Sequence, residues 1–204
     1  MKTLVLDGFN EHSDIQARTM EAVTSELAGR GLDARVLTLR EMELAPCNGC
    51  FGCWTKRPGM CVQEDHSHEL CRKIVESELL LTVTPVTFGG YSSTAKAAMD
   101  RTIGLVSPFF TMVGKEVHHK PRYERMPAIA VLGINHGDCD RCPEIFRTLI
   151  YRMAREFFPR WLYIVMGNWG WKRQARKYGV RQELFARPYY SVQPDKGGIK
   201  RVGG

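Results

Sequence analysis

The sequence predicts an α/β protein: a doubly wound, five-stranded parallel sheet with helices on both faces. Short apolar runs alternate with amphipathic stretches of helical period along most of the chain, which is the pattern of a sheet covered on each side. Capping residues and glycines punctuate the junctions. The 44% hydrophobic content of the 204 residues is enough for one well-buried core.

Lys2 to Leu6 reads as the first strand. Ser13 with Gln16 forms a capping box, and Ile15, Met20, Val23 and Leu27 give an inward face before Gly29 and Gly31 end the helix. Ala34 to Leu39 is the second strand. A helix from Glu64 to Ser77 turns Leu70, Ile74 and Val75 inward, and Leu79 to Val83 forms a buried strand that ends at Thr84-Pro85. A third helix starts near Ser93. Ala128 to Gly133 is the fourth strand, Pro143 to Phe158 the fourth helix with proline in its first turn, and Leu162 to Met166 the fifth strand. This order is that of a flavodoxin-like sheet, whose ligands sit beyond the carboxyl ends of the strands. Residues 1–168 form that domain, with a cysteine-rich loop at 46–62 and an insertion at 107–127 that is too long for a simple connection and reads as a lid or subunit contact.

The net charge of +7 is concentrated in one place. Residues 169–204 hold nine Lys or Arg against two Asp or Glu, so this extension carries the whole excess and reads as a solvated or subunit-embracing arm rather than a nucleic-acid surface. The opening apolar run is too short for a leader or a membrane span, which leads to the expectation of a cytoplasmic protein with no membrane contact. In a reducing compartment seven cysteines argue for metal or redox chemistry.

Four of them, Cys47, Cys50, Cys53 and Cys61, fall in CNGCFGCWTKRPGMC, spaced C-x2-C-x2-C-x7-C. Two-residue steps deliver successive thiolates to the separate irons of a cluster, and Gly49 and Gly52 let the backbone turn close to sulfur. A structural zinc site and plain buried thiols are the alternatives, although zinc more often takes two cysteine pairs set further apart. Following the second strand, the loop is expected on the ligand edge of the sheet.

A second motif, TPVTFGGYSSTAKAAMDR from Thr84 to Arg101, is a strand end, a Gly-Gly turn and a helix start. Such a backbone can approach a planar ring closely, with Phe88 or Tyr91 against its face; an ordinary strand-to-helix loop with core aromatics is the plainer account. Together the two motifs resemble the NAD(P)H-dependent FMN reductases of flavodoxin-like fold, and among them the iron–sulfur flavoproteins. The resemblance spans roughly Lys2 to Phe158 and implies FMN at the strand ends, a [4Fe-4S] cluster on Cys47, Cys50, Cys53 and Cys61, NAD(P)H as a possible donor, and a homodimer or homotetramer in which the cluster of one subunit approaches the flavin of another. It also implies that Pro85, Val86, Thr87, Phe88, Gly89, Gly90 and Tyr91 border the isoalloxazine and that Gly133, Asn135 and His136 flank its other side. Lys96, Asp100 and Arg101 match family positions that fix a helix rather than touch ligand.

The first loop departs from the family's Gly-Ser-Pro-Arg stretch. Gly8-Phe9-Asn10-Glu11-His12-Ser13-Asp14 lacks the arginine and adds Glu11 and Asp14 where the FMN phosphate would sit, leaving Asn10, His12 and Ser13 as donors. The expected function is an iron–sulfur flavoprotein-like oxidoreductase with His136 as a proton donor and a redox protein as a possible partner. A flavin-free iron–sulfur electron-transfer or scaffold subunit and a zinc-stabilised binding protein stand as alternatives. Cys139 and Cys142 in CDRC read as a redox dithiol, a partial metal site or two reduced thiols. Cys71 reads as core, His66 and His68 as a helix start or solvent-exposed groups, and His118 with His119 as part of a solvated basic stretch or a phosphate-binding one.

Overall fold

Strand β1 (Lys2–Asp7) is the centre from which the sheet is wound in both directions. The computed structural model describes residues 1–113, 115–135, 139–157, 162–168, 190–191 and 200–201. After β1 come α1 (Asp14–Gly29), β2 (Asp33–Thr38), a short α2 (Gly52–Thr55), α3 (Ser67–Glu76), β3 (Leu79–Pro85) and α4 (Ser93–Asp100). A hairpin of β4 (Val106–Val113) and β5 (Glu116–Pro121) precedes β6 (Ala128–Asn135), α5 (Cys142–Phe157), β7 (Leu162–Asn168), β8 (Tyr190–Ser191) and β9 (Lys200–Arg201).

The main sheet runs β2-β1-β3-β6-β7-β8-β9. Its first five members pair in parallel, in the flavodoxin-like order, and reverse direction of winding between β1 and β3. The expected strand count is therefore short for the sheet as a whole: β8 and β9, from the basic extension, add to β7 antiparallel. Side chains of the central strands alternate between two cores, as the two-residue period requires. Leu4, Leu6, Ile129 and Val131 meet Ile74, Ala95, Phe146 and Ile150 on the α3, α4 and α5 side, whereas Val5, Ala130 and Leu132 meet Val23 and Leu27 of α1. No helix among the described residues is long and apolar enough to cross a membrane.

Half of the expected capping box of α1 is present: Ser13 is extended and its hydroxyl accepts from Gln16 N at 3.2 Å, whereas the Gln16 side chain donates to Asp7 Oδ2 at 2.7 Å. Ser92 does the same for α4, accepting from Ala95 N at 3.1 Å. Two segments differ from expectation. Helix α3 begins at Ser67 rather than Glu64, because Asp65 is spent outside the helix, accepting from Ser67 N and Ala45 N. The 107–127 insertion is a two-stranded hairpin separate from the main sheet, with Phe110 opposite His119 and Met112 opposite Val117. Lys115 and Lys120 are exposed as a solvated basic stretch requires, but the histidines are not: His118 is buried, and His119 lies between the Trp54 and Phe110 rings with centroids at 4.8 and 4.9 Å.

Candidate functional site

Helix α4 connects two chemically different places. Its N-terminus packs under the first loop and the 85–91 loop; its C-terminus, eight residues and about 12 Å further on, forms a wall of the cysteine cavity.

At the N-terminal end Ser92 joins three segments. Its hydroxyl donates to Gly8 O, its amide donates to Thr84 Oγ1 at 3.1 Å, and it caps α4. Asn10 Oδ1 accepts from Thr94 N and from the Ser93 and Thr94 hydroxyls, so the first loop is laid onto the helix start. Thr87 and Gly90 exchange both backbone hydrogen bonds, at 2.8 and 3.0 Å, around Phe88 (φ 50°) and Gly89 (φ 75°), the positive-φ pair of a primed turn. Glycine is required at 89 on a second count, since a Cβ there would lie 2.7 Å from Ile145 of α5. The turn pushes Phe88 into solvent, 97% exposed, whereas Tyr91 is buried edge-on against Phe146 and its phenol is raised by that burial. Of the two aromatics expected to meet a ring, the structure offers Phe88.

The arginine missing from the first loop has a spatial neighbour instead. Arg40, just after β2, donates to Asp7 Oδ2 at 2.7 Å and reaches His12 Nδ1 at 2.9 Å. Buried Asp7 neutralises it and also takes hydrogen bonds from Phe9 N and the Gln16 side chain. Glu11 and Asp14 lie exposed.

At the other end all four motif cysteines, Cys47, Cys50, Cys53 and Cys61, line one cavity of about 420 Å³. Its further walls are Met99 to Ile103 at the end of α4, Val106 and His119 of the hairpin, and Met153 of α5. The loop packs against the end of α4 and the hairpin, and its two ends are tied to Arg101. Arg101 is buried with its side chain 1% exposed. It donates to Ala45 O before the first cysteine, and to Gln63 Oε1, both Asp65 oxygens and Ser67 Oγ after the last. Two further bonds close the same neck: Glu43 N donates to His66 Nδ1 at 2.8 Å and His66 N to Glu43 O at 3.1 Å. Burial alone would raise the Asp65 carboxyl, but the Ser67 and Ala45 hydrogen bonds and the Arg101 charge outweigh it and hold the group below its usual value.

Within the loop a Cβ on Gly52 would meet Val62 at 2.6 Å, so only glycine lets the two cysteine-bearing limbs come together. Trp54 donates from its indole to Val106 O at 3.0 Å and anchors the hairpin over α2. Burial raises the Cys53 thiol, and Cys61, Cys47 and Cys50 raise it further. Four thiols on one cavity are a donor set suited to a cationic group. Cys71 is a core thiol as expected, driven by burial to about 12.

His136 lies outside the described residues, and Gly133 sits inside β6, paired with Thr84 and Met166 and buried. Asn135 ends that strand and is buried, while Pro85 and Val86 continue β3, with Val86 N donating to Ile134 O. His12 is exposed and Ser13 is the α1 cap. Sequence reasoning missed the neck. Arg101 was legible only as a helix-fixing position, and Lys96 and Asp100 are indeed an i,i+4 pair; Asp65, His66 and Trp54 carried no motif signal.

Residues 1–137 match the sequence profile of the NADPH-dependent FMN reductases. The chain belongs to that family. The matched stretch takes in the first loop, the cysteine loop, the 85–91 turn and the hairpin, and stops before Cys139. An iron–sulfur flavoprotein of Methanocaldococcus jannaschii is 29% identical over 102 residues, covering 50% of this chain and 52% of that protein. The chain spans about half the length of the curated relatives it matches. Among solved structures, a Streptococcus mutans protein superposes with a TM-score of 0.68 at 14% identity, covering 90% of this chain and 98% of the other. The NAD(P)H:quinone oxidoreductase of Methanothermobacter marburgensis gives 0.61 at 14% identity over 82% and 86%. At such identity these two show that this FMN reductase family member has the flavodoxin-like fold, and nothing about its substrate.

Proposed function

We propose that the protein is an oxidoreductase of the iron–sulfur flavoprotein kind, passing electrons between a reduced donor, NAD(P)H or a redox protein, FMN and a [4Fe-4S] cluster in the cytoplasm. The observation that carries this reading is the convergence of Cys47, Cys50, Cys53 and Cys61 on one cavity behind a neck built without metal. Four thiols spread around about 420 Å³ suit a body with four separate attachment points better than a single zinc. Family membership and relatives named iron–sulfur flavoproteins support both cofactors.

FMN, when bound, supplies hydride acceptance and one-electron release, and a cluster supplies one-electron storage. The chain's residues position and shield these groups. Phe88 would cover a ring face, the backbone from Pro85 to Gly90 would approach its edge, Tyr91 would support that turn from the core, and Gly133 and Asn135 would border it with His136 as the proton donor. Asn10, His12, Ser13 and the α1 N-terminus face the phosphate. Placement of the two sites at opposite ends of α4 fits a homodimer or homotetramer in which one subunit's cysteine cavity meets another's 85–91 turn.

Anaerobically purified protein should show flavin absorbance together with a dithionite-bleachable iron–sulfur band and equal iron and acid-labile sulfide. Cys53→Ser should remove the iron and leave the flavin; unchanged iron would refute the cluster. One observation favours a second reading, a flavin-free electron-transfer subunit: Arg40, the arginine beside the first loop, is already paired with buried Asp7. Iron–sulfur absorbance without flavin would establish it, and a colourless zinc protein would exclude both.

A further inference from the structure

We propose that Cys139 and Cys142 form a thiol–disulfide exchange site for an external dithiol, with Cys139 the sulfur attacked and Cys142 the leaving group. The two are joined by a disulfide, Cα to Cα 5.3 Å, while Cys47, Cys50, Cys53, Cys61 and Cys71 are all free. The pair is therefore set apart from every other cysteine of the chain. It lies beyond the stretch that matches the family.

Its surroundings are asymmetric. Cys142 is the first residue of the 16-residue α5, where the positive end of the helix dipole favours a thiolate against the burial that opposes it. It is 6% exposed and packs in the core with Phe146 and Val86. Cys139 is only half-buried, at the rim of the same core. An incoming thiolate can reach Cys139 alone, and the sulfur it displaces is the one the helix stabilises. Cys142 N also donates to Cys139 O at 3.3 Å, which keeps the two residues adjacent once the sulfurs part.

A purely structural staple would have little to hold. The bond spans only Asp140 and Arg141 at the entry to α5, which Phe146 and Ile150 already fix to the core. Exchange runs as follows in atoms and electrons. One external thiolate attacks Cys139 Sγ, the protein S–S bond breaks, and its electron pair goes to Cys142 Sγ, which takes a proton. The second thiol of the same molecule then displaces Cys139, leaving two protein thiols and one external disulfide. Two electrons and two protons pass from dithiol to protein, and neither FMN nor a cluster takes part.

The test uses the purified full chain equilibrated with reduced and oxidised dithiothreitol, quenched by alkylation and cut with trypsin. Cleavage after Arg141 puts Cys139 on peptide 126–141 and Cys142 on peptide 142–147, so the oxidised pair appears as two linked peptides. Expected is full, reversible interconversion of linked and doubly alkylated forms while the circular dichroism stays native. In Cys142→Ser, Ellman's reagent should leave a mixed disulfide on peptide 126–141; in Cys139→Ser, Cys142 should stay unlabelled until the protein is unfolded. The proposal is overturned if the link resists dithiothreitol until denaturant is added, if the pair is never found linked, or if Cys142 reacts first. Should either variant fail to fold, the wild-type titration decides, and none of these readouts depends on iron or flavin.

Discussion

The two ends of α4 are held by opposite means. At the N-terminus the joints are neutral: a serine hydroxyl, an asparagine carbonyl and a primed turn hold loops that leave their tips, Asn10 and Phe88, in solvent. At the C-terminus the joint is ionic and buried, one guanidinium tied to three flanking side chains and a carbonyl of the cysteine loop. Neutral capping leaves a surface that can adapt to a flat ligand. A buried ionic clamp fixes a loop whose own sequence, rich in glycine, has little reason to hold a shape.

Breaking the ionic end should cost most. Arg101→Ala removes five donated hydrogen bonds and leaves Asp65 held only by the Ser67 and Ala45 amides, and about 2–3 kcal/mol of stability should be lost in denaturant titration. Iron retention should fall with it, whereas Arg101→Lys, which keeps the charge but not the fork, should recover only part. Acid should loosen the same end. Because the Asp65 carboxyl is depressed when folded, its contribution is present above the unfolded value and lost as pH falls through the folded one. Wild-type denaturation midpoints should therefore drop below about pH 4, and Asp65→Asn should flatten that limb; an unaltered acid limb would argue against the clamp.

Ser92→Ala addresses the neutral end, removing a cap and the tie to Gly8 at a cost of about 1–2 kcal/mol. Its FMN affinity should decline while iron content stays at the wild-type level, the reverse of Arg101→Ala. Glu11→Gln should have the smallest effect. Since Glu11 is exposed, its repulsion of a phosphate is screened, and FMN affinity measured by fluorescence quenching should rise by up to about fivefold, under about 1 kcal/mol.

What could be read from the chain was what is local. Ser13 and Gln16 sit three apart and announced α1; Leu79 to Val83 is apolar but for Thr82 and announced a central strand; cysteine spacing marked the second site. The clamp was not legible because Arg101 meets partners 34 to 56 positions away, and nothing in their spacing has a period. The hairpin was hidden for a related reason: Phe109, Phe110, Met112 and Val117 face out while His118 is inside, so its pattern contradicts the usual rule that polar side chains face water. Nor could C-x2-C spacing decide between open thiols and the disulfide found.

That hairpin also has a consequence for the order in which the molecule assembles. Its cross-strand pairs join residues 3 to 15 apart, whereas pairing β3 to β6 closes 49 residues. Hairpins form in about 1–10 μs, and non-local parallel pairing is far slower. The hairpin can therefore be standing before the sheet closes around it. Trp54, arriving with the cysteine loop, would then dock on a finished strand, and the lid of the cavity would be among the first parts of the protein to exist.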